Sequence, residues 1–287
     1  MLGINTNNAS LTAQRNLSGS GLGLENAISR LSSGLRVNSA KDDAAGLAIA
    51  ERMNAQIKGF DVAARNANDG ISLLQVADGA MGKISDNLQR MRELAVQAKN
   101  GSLNASDRLN LNREYTELGN EVDRIVSGTT FNGNAIFTPT NKSLSFQVGT
   151  GNATTDTLLV NLTADALPTG NDLQTLLVNG NGTIQANLVS VDTAGNATTA
   201  ITRLDAAIDA LTGIRAVVGA GQSRLEQVSA FNETSMVNLS AARGRIMDAD
   251  FAKETASLTR FQILQQAGTA VLAQANQLPQ NVLGLLK

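Results

Sequence analysis

Apolar residues recur at intervals of seven positions near both ends of the chain. Near the N-terminus this series comprises Leu17, Leu24 and Leu31. Near the C-terminus it comprises Leu264, Val271, Leu278 and Leu285, and a second series of Phe261, Gly268, Ala275 and Val282 runs three residues ahead of it. A seven-residue repeat forms an apolar stripe along a helix, and a partner helix must cover that stripe. We therefore predict that both ends associate, with self-assembly contacts at Leu17, Leu24, Leu31, Phe261, Leu264, Val271, Leu278 and Leu285.

The N-terminal stripe continues with the spacing of one helix face through Leu24, Ile28, Leu31 and Leu35. Three glycines weaken this helix, each by about 0.5–1 kcal/mol relative to alanine, at positions 19, 21 and 23. Few charged side chains accompany the two terminal segments. We expect these segments to stay unfolded until a partner helix covers them.

The longest regular pattern lies between Ala44 and Lys99, where apolar residues alternate steps of three and four positions. These residues are Ala50, Met53, Ile57, Phe60, Ala64, Ala67, Ile71 and Leu74, and then Met81, Ile84, Leu88, Met91, Ala95 and Ala98. A helix over this whole stretch would be about 84 Å long at about 1.5 Å per residue. Helices of that length are typical of coiled coils.

A turn at Asn100-Gly101 separates this pattern from a second predicted helix, with Asn104 or Ser106 as its N-cap. Its apolar stripe comprises Leu111, Tyr115, Leu118, Val122 and Ile125. Gly128 occupies the position expected for a C′ glycine. Because the turn is short, the second helix must lie antiparallel against the first.

The pattern changes between Thr129 and about Asn196, where two runs alternate apolar and polar residues. The apolar members are Leu144, Phe146 and Val148 in one run and Leu158, Val160 and Leu162 in the other. Two such runs joined by a loop rich in Gly, Asn and Thr predict a β-hairpin. Residues 163–195 are too polar for a large core and predict a short, variable excursion.

Helical spacing resumes at Ile201, and a series at multiples of seven positions follows. It comprises Leu204, Leu211, Val218, Leu225, Leu239 and Ile246, with Asn232 as a polar exception. A final helix is predicted from about Ala249 to Leu278, where Pro279 is expected to bend or end it.

These elements predict a mainly α fold, a long antiparallel helical hairpin or coiled-coil bundle formed by the N- and C-terminal segments, with a small β-hairpin region in the middle. We predict a terminal coiled-coil domain from residues 1–43 and 247–287. A helical core domain with the β-hairpin is expected from residues 44–162 and 196–246, and the variable excursion covers 163–195.

Composition narrows the possible chemistry. The chain has no cysteine and no histidine, so it lacks a disulfide, a thiolate nucleophile, an imidazole base and the usual zinc ligands. These absences argue against an enzyme, and we expect no cofactor and no metal. A net charge of −2 gives no electrostatic basis for nucleic-acid binding. No run approaches 18 apolar residues and the first residues do not form a signal peptide, so we expect neither a membrane span nor a cleaved leader.

Four strings in this sequence closely resemble those of bacterial flagellin. They are MLGINTNNASLTAQRNL (1–17), LSSGLRVNSAKDDAAGLAIA (31–50), QRMRELAVQAKNGSLNASDR (89–108) and ANQLPQNVLGLLK (275–287). The resemblance implies a structural subunit that polymerises into the extracellular bacterial flagellar filament used for motility. It also implies that the chain is secreted and that its partners are further copies of itself, an export chaperone, and the filament cap and junction proteins.

The same resemblance implies recognition by host immune receptors. The stretch from Ser29 to Ala50 resembles the epitope of plant immune receptors, with Leu35 where that epitope is usually polar. The surface predicted for the vertebrate Toll-like receptor comprises Gln89, Arg90, Leu94 and Glu114. The simpler interpretation of both regions is structural, because Asp42 and Asp43 suit a helix start and the second group suits a solvated helix face.

Three alternatives stand beside the filament subunit, and only the first of them remains open. A hook–filament junction protein resembles flagellin at its ends. Some flagellins carry a zinc peptidase, but its His-Glu-x-x-His motif cannot occur in a chain without histidine. An export chaperone or translocation-tip coiled coil would lack the paired terminal strings.

Overall fold

The computed structural model describes residues 7–137, 143–161 and 189–284, the last seven of these by their backbone only. Five α-helices occur in these residues: α1 (Asn8–Ser33), α2 (Ala44–Ala98), α3 (Ala105–Gly128), α4 (Ala194–Met247) and α5 (Phe251–Gly284). Four strands form two antiparallel pairs: β1 (Thr130–Phe131) with β2 (Asn134–Ala135), and β3 (Ser143–Gln147) with β4 (Thr157–Asn161). The mainly α fold predicted from the apolar spacing is confirmed.

The chain divides into two compact units, and the terminal unit comprises Met1–Ile57 and Val237–Lys287. Within it, α1 and α5 pack antiparallel, since Leu17 lies against Gly268 while Gly23, farther along α1, lies against Phe261. The N-terminal stripe thus has a partner helix in its own chain.

The end of α1 differs from the predicted stripe. Gly34 has a left-handed φ of 71° and its amide bonds the carbonyl of Arg30, which stops the helix at Ser33. Leu35 therefore lies outside the helix and forms an isolated antiparallel bridge with Asp248. Ile28, the other extra member of the predicted face, points outward and is exposed.

A small apolar cluster also belongs to the terminal unit. Val37, Ala50 and Met247 are buried together, with Leu47 and Ile246 packed against them. These contacts explain why the unit extends to Ile57 and back to Val237, beyond the predicted bounds at 43 and 247. Asp43 starts α2 by accepting a hydrogen bond from the Gly46 amide at 2.8 Å, as the acidic pair before this helix indicated.

The second unit, Lys58–Met236, holds the main core. Its fully buried large side chains come from three helices: Leu74, Met81, Ile84, Leu88, Met91 and Leu94 from α2, Tyr115 from α3, and Leu204, Leu211 and Leu225 from α4. Nearly all of them lie on the predicted stripes, because steps of three and four keep successive side chains on one face of a helix.

The β3–β4 hairpin follows the predicted alternation. Leu144 pairs with Val160 and Phe146 pairs with Leu158, so the apolar residues of both strands share one face. Leu162 and residues 163–188 lie outside the described residues.

The buried amide of Asn232, the polar exception of the α4 series, donates to the Val148 carbonyl at 3.0 Å.

The end of α3 corrects one expectation. Gly128 is the last helical residue and not a left-handed C′ residue, because Thr129 caps the helix in an extended conformation. Both the amide and the hydroxyl of Thr129 donate to the Ile125 carbonyl, which removes the need for a glycine cap. The start of α3 agrees with prediction, since Asn104 and Asp107 form a capping box.

The β1–β2 pair was not predicted, although its signal is present in the sequence. Asn132 and Gly133 have φ angles of 50° and 79°, as the two-residue type I′ hairpin requires. Asn-Gly is the preferred dipeptide for that turn.

The last helix runs farther than predicted. It begins at Phe251, where Asp250 caps the amides of Ala252 and Lys253, and it continues through Pro279 to Gly284. Proline lacks the amide that would bond the carbonyl four residues earlier, which here belongs to Ala275. That carbonyl instead accepts a hydrogen bond of 2.8 Å from Asn7 Nδ2.

Tyr115 provides a test of the core packing. The residue is 2% exposed, and its hydroxyl has no hydrogen-bond partner in the described part of the chain. Burial raises the pKa of this hydroxyl, with Arg203 opposing the shift. The folded state thus keeps the phenol neutral, whereas the unfolded state ionises it above about pH 10. The stability that the neutral phenol contributes is therefore complete below about pH 10 and falls by about 1.4 kcal/mol per pH unit above it.

We expect Tyr115→Phe to be neutral or stabilising at pH 7 and to lose less stability than the wild type above about pH 10. Tyr115 is the one tyrosine of the chain, so tyrosinate absorbance reports on it alone. The tyrosinate band should appear together with unfolding during alkaline titration. A band that forms reversibly near the ordinary tyrosine pKa in the folded protein would contradict the assigned burial.

Candidate self-assembly surface

The residues of α1 that α5 covers recur at steps of three and four positions. Ala13 and Ala27 are buried on it, and the predicted residues Leu17, Leu24 and Leu31 are half-buried. Leucines and alanines thus share the face of α1 that α5 covers.

Two glycines accommodate large side chains of the opposite helix. A Cβ atom on Gly23 of α1 would lie 2.5 Å from the ring of Phe261, which is too close for any residue but glycine without movement. On α5, a Cβ atom on Gly268 would lie 3.2 Å from Leu17 Cδ1. The complementary sizes favour a single alignment of the two helices.

Polar contacts support the same alignment at both ends of the pair. At one end, Arg30 and Glu254 form an ion pair with 3.4 Å between Nη1 and Oε1. At the other, the Ser10 hydroxyl donates to Asn276 Oδ1 at 2.7 Å, close to the Asn7–Ala275 hydrogen bond. Because few charged residues flank the stripe, these side chains carry most of the polar specificity of the pair.

The two C-terminal series separate on the surface of α5. Phe261 and Gly268 face α1 and Ala275 is buried, whereas Leu264 is 45% exposed and Val271 is 55% exposed. The series are three residues apart, which is about 60° around a helix. The Leu278 side chain and Leu285 lie outside the described residues.

Other large apolar side chains on the terminal unit are also exposed. These are Leu11, Leu22 and Ile28 on α1, Val237 on α4, and Phe251 and Ile263 on α5. Those on α1 and α5 lie beyond the face that each helix presents to the other, so the pairing of the two helices leaves them exposed.

The predicted immune-receptor surface lies on α2 and α3. Arg90 donates from Nε and Nη2 to Glu114 Oε1 at 3.0 and 2.8 Å, and from Nη1 to Glu93 at 2.9 Å. The hydrogen bonds that Arg90 donates to Glu93 and then to Glu114 raise the pKa of its guanidinium. Gln89 is exposed beside it and donates to Ser85.

Leu94 does not belong to that surface. It is 1% exposed, because its position places it on the core-facing stripe of α2 with Met91 and Ala95. The flagellin resemblance groups Leu94 with Arg90, but the core-facing stripe of α2 is wide enough to include Leu94.

Sequence reasoning missed Gly23 and Asn7 as contact residues. Gly23 was interpreted only as a residue that weakens its helix, and nothing in the sequence indicates that Phe261 lies opposite. Asn7 carried a signal, since an asparagine directly before an apolar periodic segment is a common N-cap. Its side chain does accept a hydrogen bond from the Ser10 amide.

No group of residues that could hold a metal ion occurs among the described residues. None of the helices in that part of the chain is long and apolar enough to cross a membrane. The paired terminal helices define the class of long-helical proteins in which the two ends of the chain pack against each other.

Comparison with known proteins identifies the family. The family model for the bacterial flagellin N-terminal helical region matches residues 4–142, and that for the C-terminal helical region matches residues 201–286. Flagellin of Xenorhabdus nematophila is 42% identical over 313 residues, covering 99% of each chain. The flagellar filament 33 kDa core protein of Treponema phagedenis is 40% identical over 294 residues, with the same coverage. The chain belongs to the bacterial flagellin family and is a structural subunit of the flagellar filament.

One solved structure supports the fold alone. The putative flagellar hook-associated protein from Vibrio parahaemolyticus has a TM-score of 0.57 and 15% identity, and the match covers 72% of this chain and 100% of that one. At this identity, the likeness says nothing about which flagellar role the chain has.

Proposed function

We propose that the copies of this chain contact one another in the filament through the outward series of α5, at Leu264 and Val271. The supporting observation is the separation of the two series, because α1 covers Phe261 and Gly268 and leaves these two side chains exposed. The contact joins this face to a different surface of the next copy, so that it repeats without closing and builds a helix. Seeded filament growth by chains altered along this series tests the assignment, and unchanged growth would overturn it.

The same exposed apolar faces support the proposed partners. A subunit with such faces must be kept from associating before it reaches the growing end, and an export chaperone serves that purpose. The filament cap and the junction proteins then bind the ends of the assembled filament outside the cell. In this proposal the chain is secreted and works extracellularly.

We further propose that host immune receptors recognise the chain at Gln89, Arg90 and Glu114. Arg90 and Glu114 come from two antiparallel helices, and their ion pair is about half exposed. A receptor that binds both helices recognises a geometry that neither helix has alone. Neighbouring copies that cover this surface would hide it in the filament.

Arg90→Ala is expected to lower receptor activation by the monomer at least several-fold and to slow filament growth. The ion pair is exposed, so water screens it and the thermal stability of the monomer should change little. Receptor activation, motility and the melting temperature are the measurements. Arg124→Ala is the matched control, since Arg124 forms an exposed pair with Glu121 within α3. Unchanged activation and motility in the Arg90 variant would contradict both roles.

A further inference from the structure

One side chain at the start of α1, Asn7, bonds both to its own helix and to the last part of α5. Asn7 is half-buried and uses both ends of its amide. Its Oδ1 accepts the Ser10 amide at 3.0 Å and caps α1, while its Nδ2 donates to the Ala275 carbonyl of α5 at 2.8 Å.

The Ala275 carbonyl is the one that Pro279 leaves without a helical partner. In an α-helix the amide of residue i bonds the carbonyl of residue i−4, and proline has no amide hydrogen to donate. Ala275 is itself buried, with 5% exposed, so water offers little compensation for a missing bond.

We propose that Asn7 is a positioning residue that completes the hydrogen-bond ladder of α5 at Pro279. Its Nδ2 takes the place of the amide that proline lacks, and α5 then continues to Gly284. The extension of α5 past Pro279 therefore depends on the docking of the start of α1. The Ser10–Asn276 hydrogen bond holds the same two segments in this alignment.

The consequence for a filament subunit is that its two termini become ordered together. A chain with an undocked N-terminus has no donor for the Ala275 carbonyl, so its last helical turns fray. Because of the proline, the C-terminal end of α5 is ordered only when the start of α1 is docked against it.

Asn7→Asp separates the two functions of the side chain. A carboxylate caps a helix as well as an amide does, but it has no hydrogen to donate to Ala275. We expect amide hydrogen exchange of residues 280–284 in assembled filaments to become at least about tenfold faster in this variant. Asn8→Asp is the matched control, because Asn8 is exposed next to it and should leave the exchange unchanged.

Pro279→Ala provides the rescue. Alanine restores the backbone amide that bonds Ala275, so the double variant Asn7→Asp with Pro279→Ala should exchange at close to the wild-type rate. Unchanged exchange in Asn7→Asp would overturn the proposal, and so would fast exchange that Pro279→Ala fails to correct. Should Asn7→Asp form no filaments, seeded growth replaces exchange as the measurement: restored growth in the double variant supports the proposal, and absent growth overturns it.

Discussion

A chain carrying Val271→Asp is expected to keep the fold of the monomer and to lose filament growth from wild-type seeds. The side chain is 55% exposed, so the new carboxylate stays in water in the monomer and changes stability by about 0.5 kcal/mol or less. In a contact between copies the same carboxylate would be buried against apolar groups without a partner. A penalty of about 3 kcal/mol per contact weakens the association roughly 100-fold.

Electron microscopy of seeded growth and thermal unfolding of the monomer measure the two effects separately. Gln266→Asp is the matched control, because it places the same charge on an exposed residue about 140° around α5 from Val271. Normal growth of the Val271 variant would exclude its side chain from the contact. Loss of growth in both variants would contradict a contact confined to the outward series.

The long helices could be predicted because each carries its own periodic signal. Apolar steps of three and four between Ala44 and Lys99 predict α2 almost to the residue, and the side chains on that stripe form the core. The hairpin of β3 and β4 could be predicted equally well, since the alternation in two runs shows which residues of each strand share the apolar face. In each case local spacing and tertiary burial agree.

The different roles of the two series on α5 could not be predicted in the same way. The series at Phe261 and Leu264 repeat with one period and differ by three residues, so both fit one apolar stripe. Which of them faces α1 depends on matching the side-chain sizes of two segments far apart in the chain. Gly23 leaves space for the Phe261 ring, so the Phe261 series faces α1. In the sequence, however, a lone glycine indicates only a weak helix.

Hydrogen bonds that the apolar spacing does not reveal explain a second group of differences. Local sequence rules end or bend a helix at an interior proline, yet α5 continues through Pro279 because Asn7 supplies a donor from the other end of the chain. Gly128 likewise fits the pattern of a C′ residue, and only the bonds of Thr129 show why no left-handed cap is needed. Such partners have no signature at the position they affect.

Gly23→Leu should weaken the pairing of α1 with α5 and, with it, filament growth. The substitution raises the intrinsic helix propensity of α1 by up to about 1 kcal/mol, so a weaker helix cannot account for any loss. The new side chain would occupy the space of the Phe261 ring, and overpacking of this kind costs about 1–3 kcal/mol or more. Because the pair has few polar contacts to hold it, we expect growth to fall at least roughly tenfold while the unfolding of Lys58–Met236 stays unchanged.

Exchanging the large and small side chains at positions 23 and 261 tests whether steric overlap causes the loss of growth. Phe261→Ala in the Gly23→Leu background returns space to the site, so most of the lost growth should be recovered, whereas Phe261→Ala alone leaves a cavity and weakens the pair. Gly19→Leu is the matched control, since a Cβ atom at Gly19 meets no other atom within 4 Å. If Gly19→Leu blocks growth as strongly as Gly23→Leu, or if the double variant recovers nothing, the alignment of α1 and α5 is set by contacts other than this glycine and this ring.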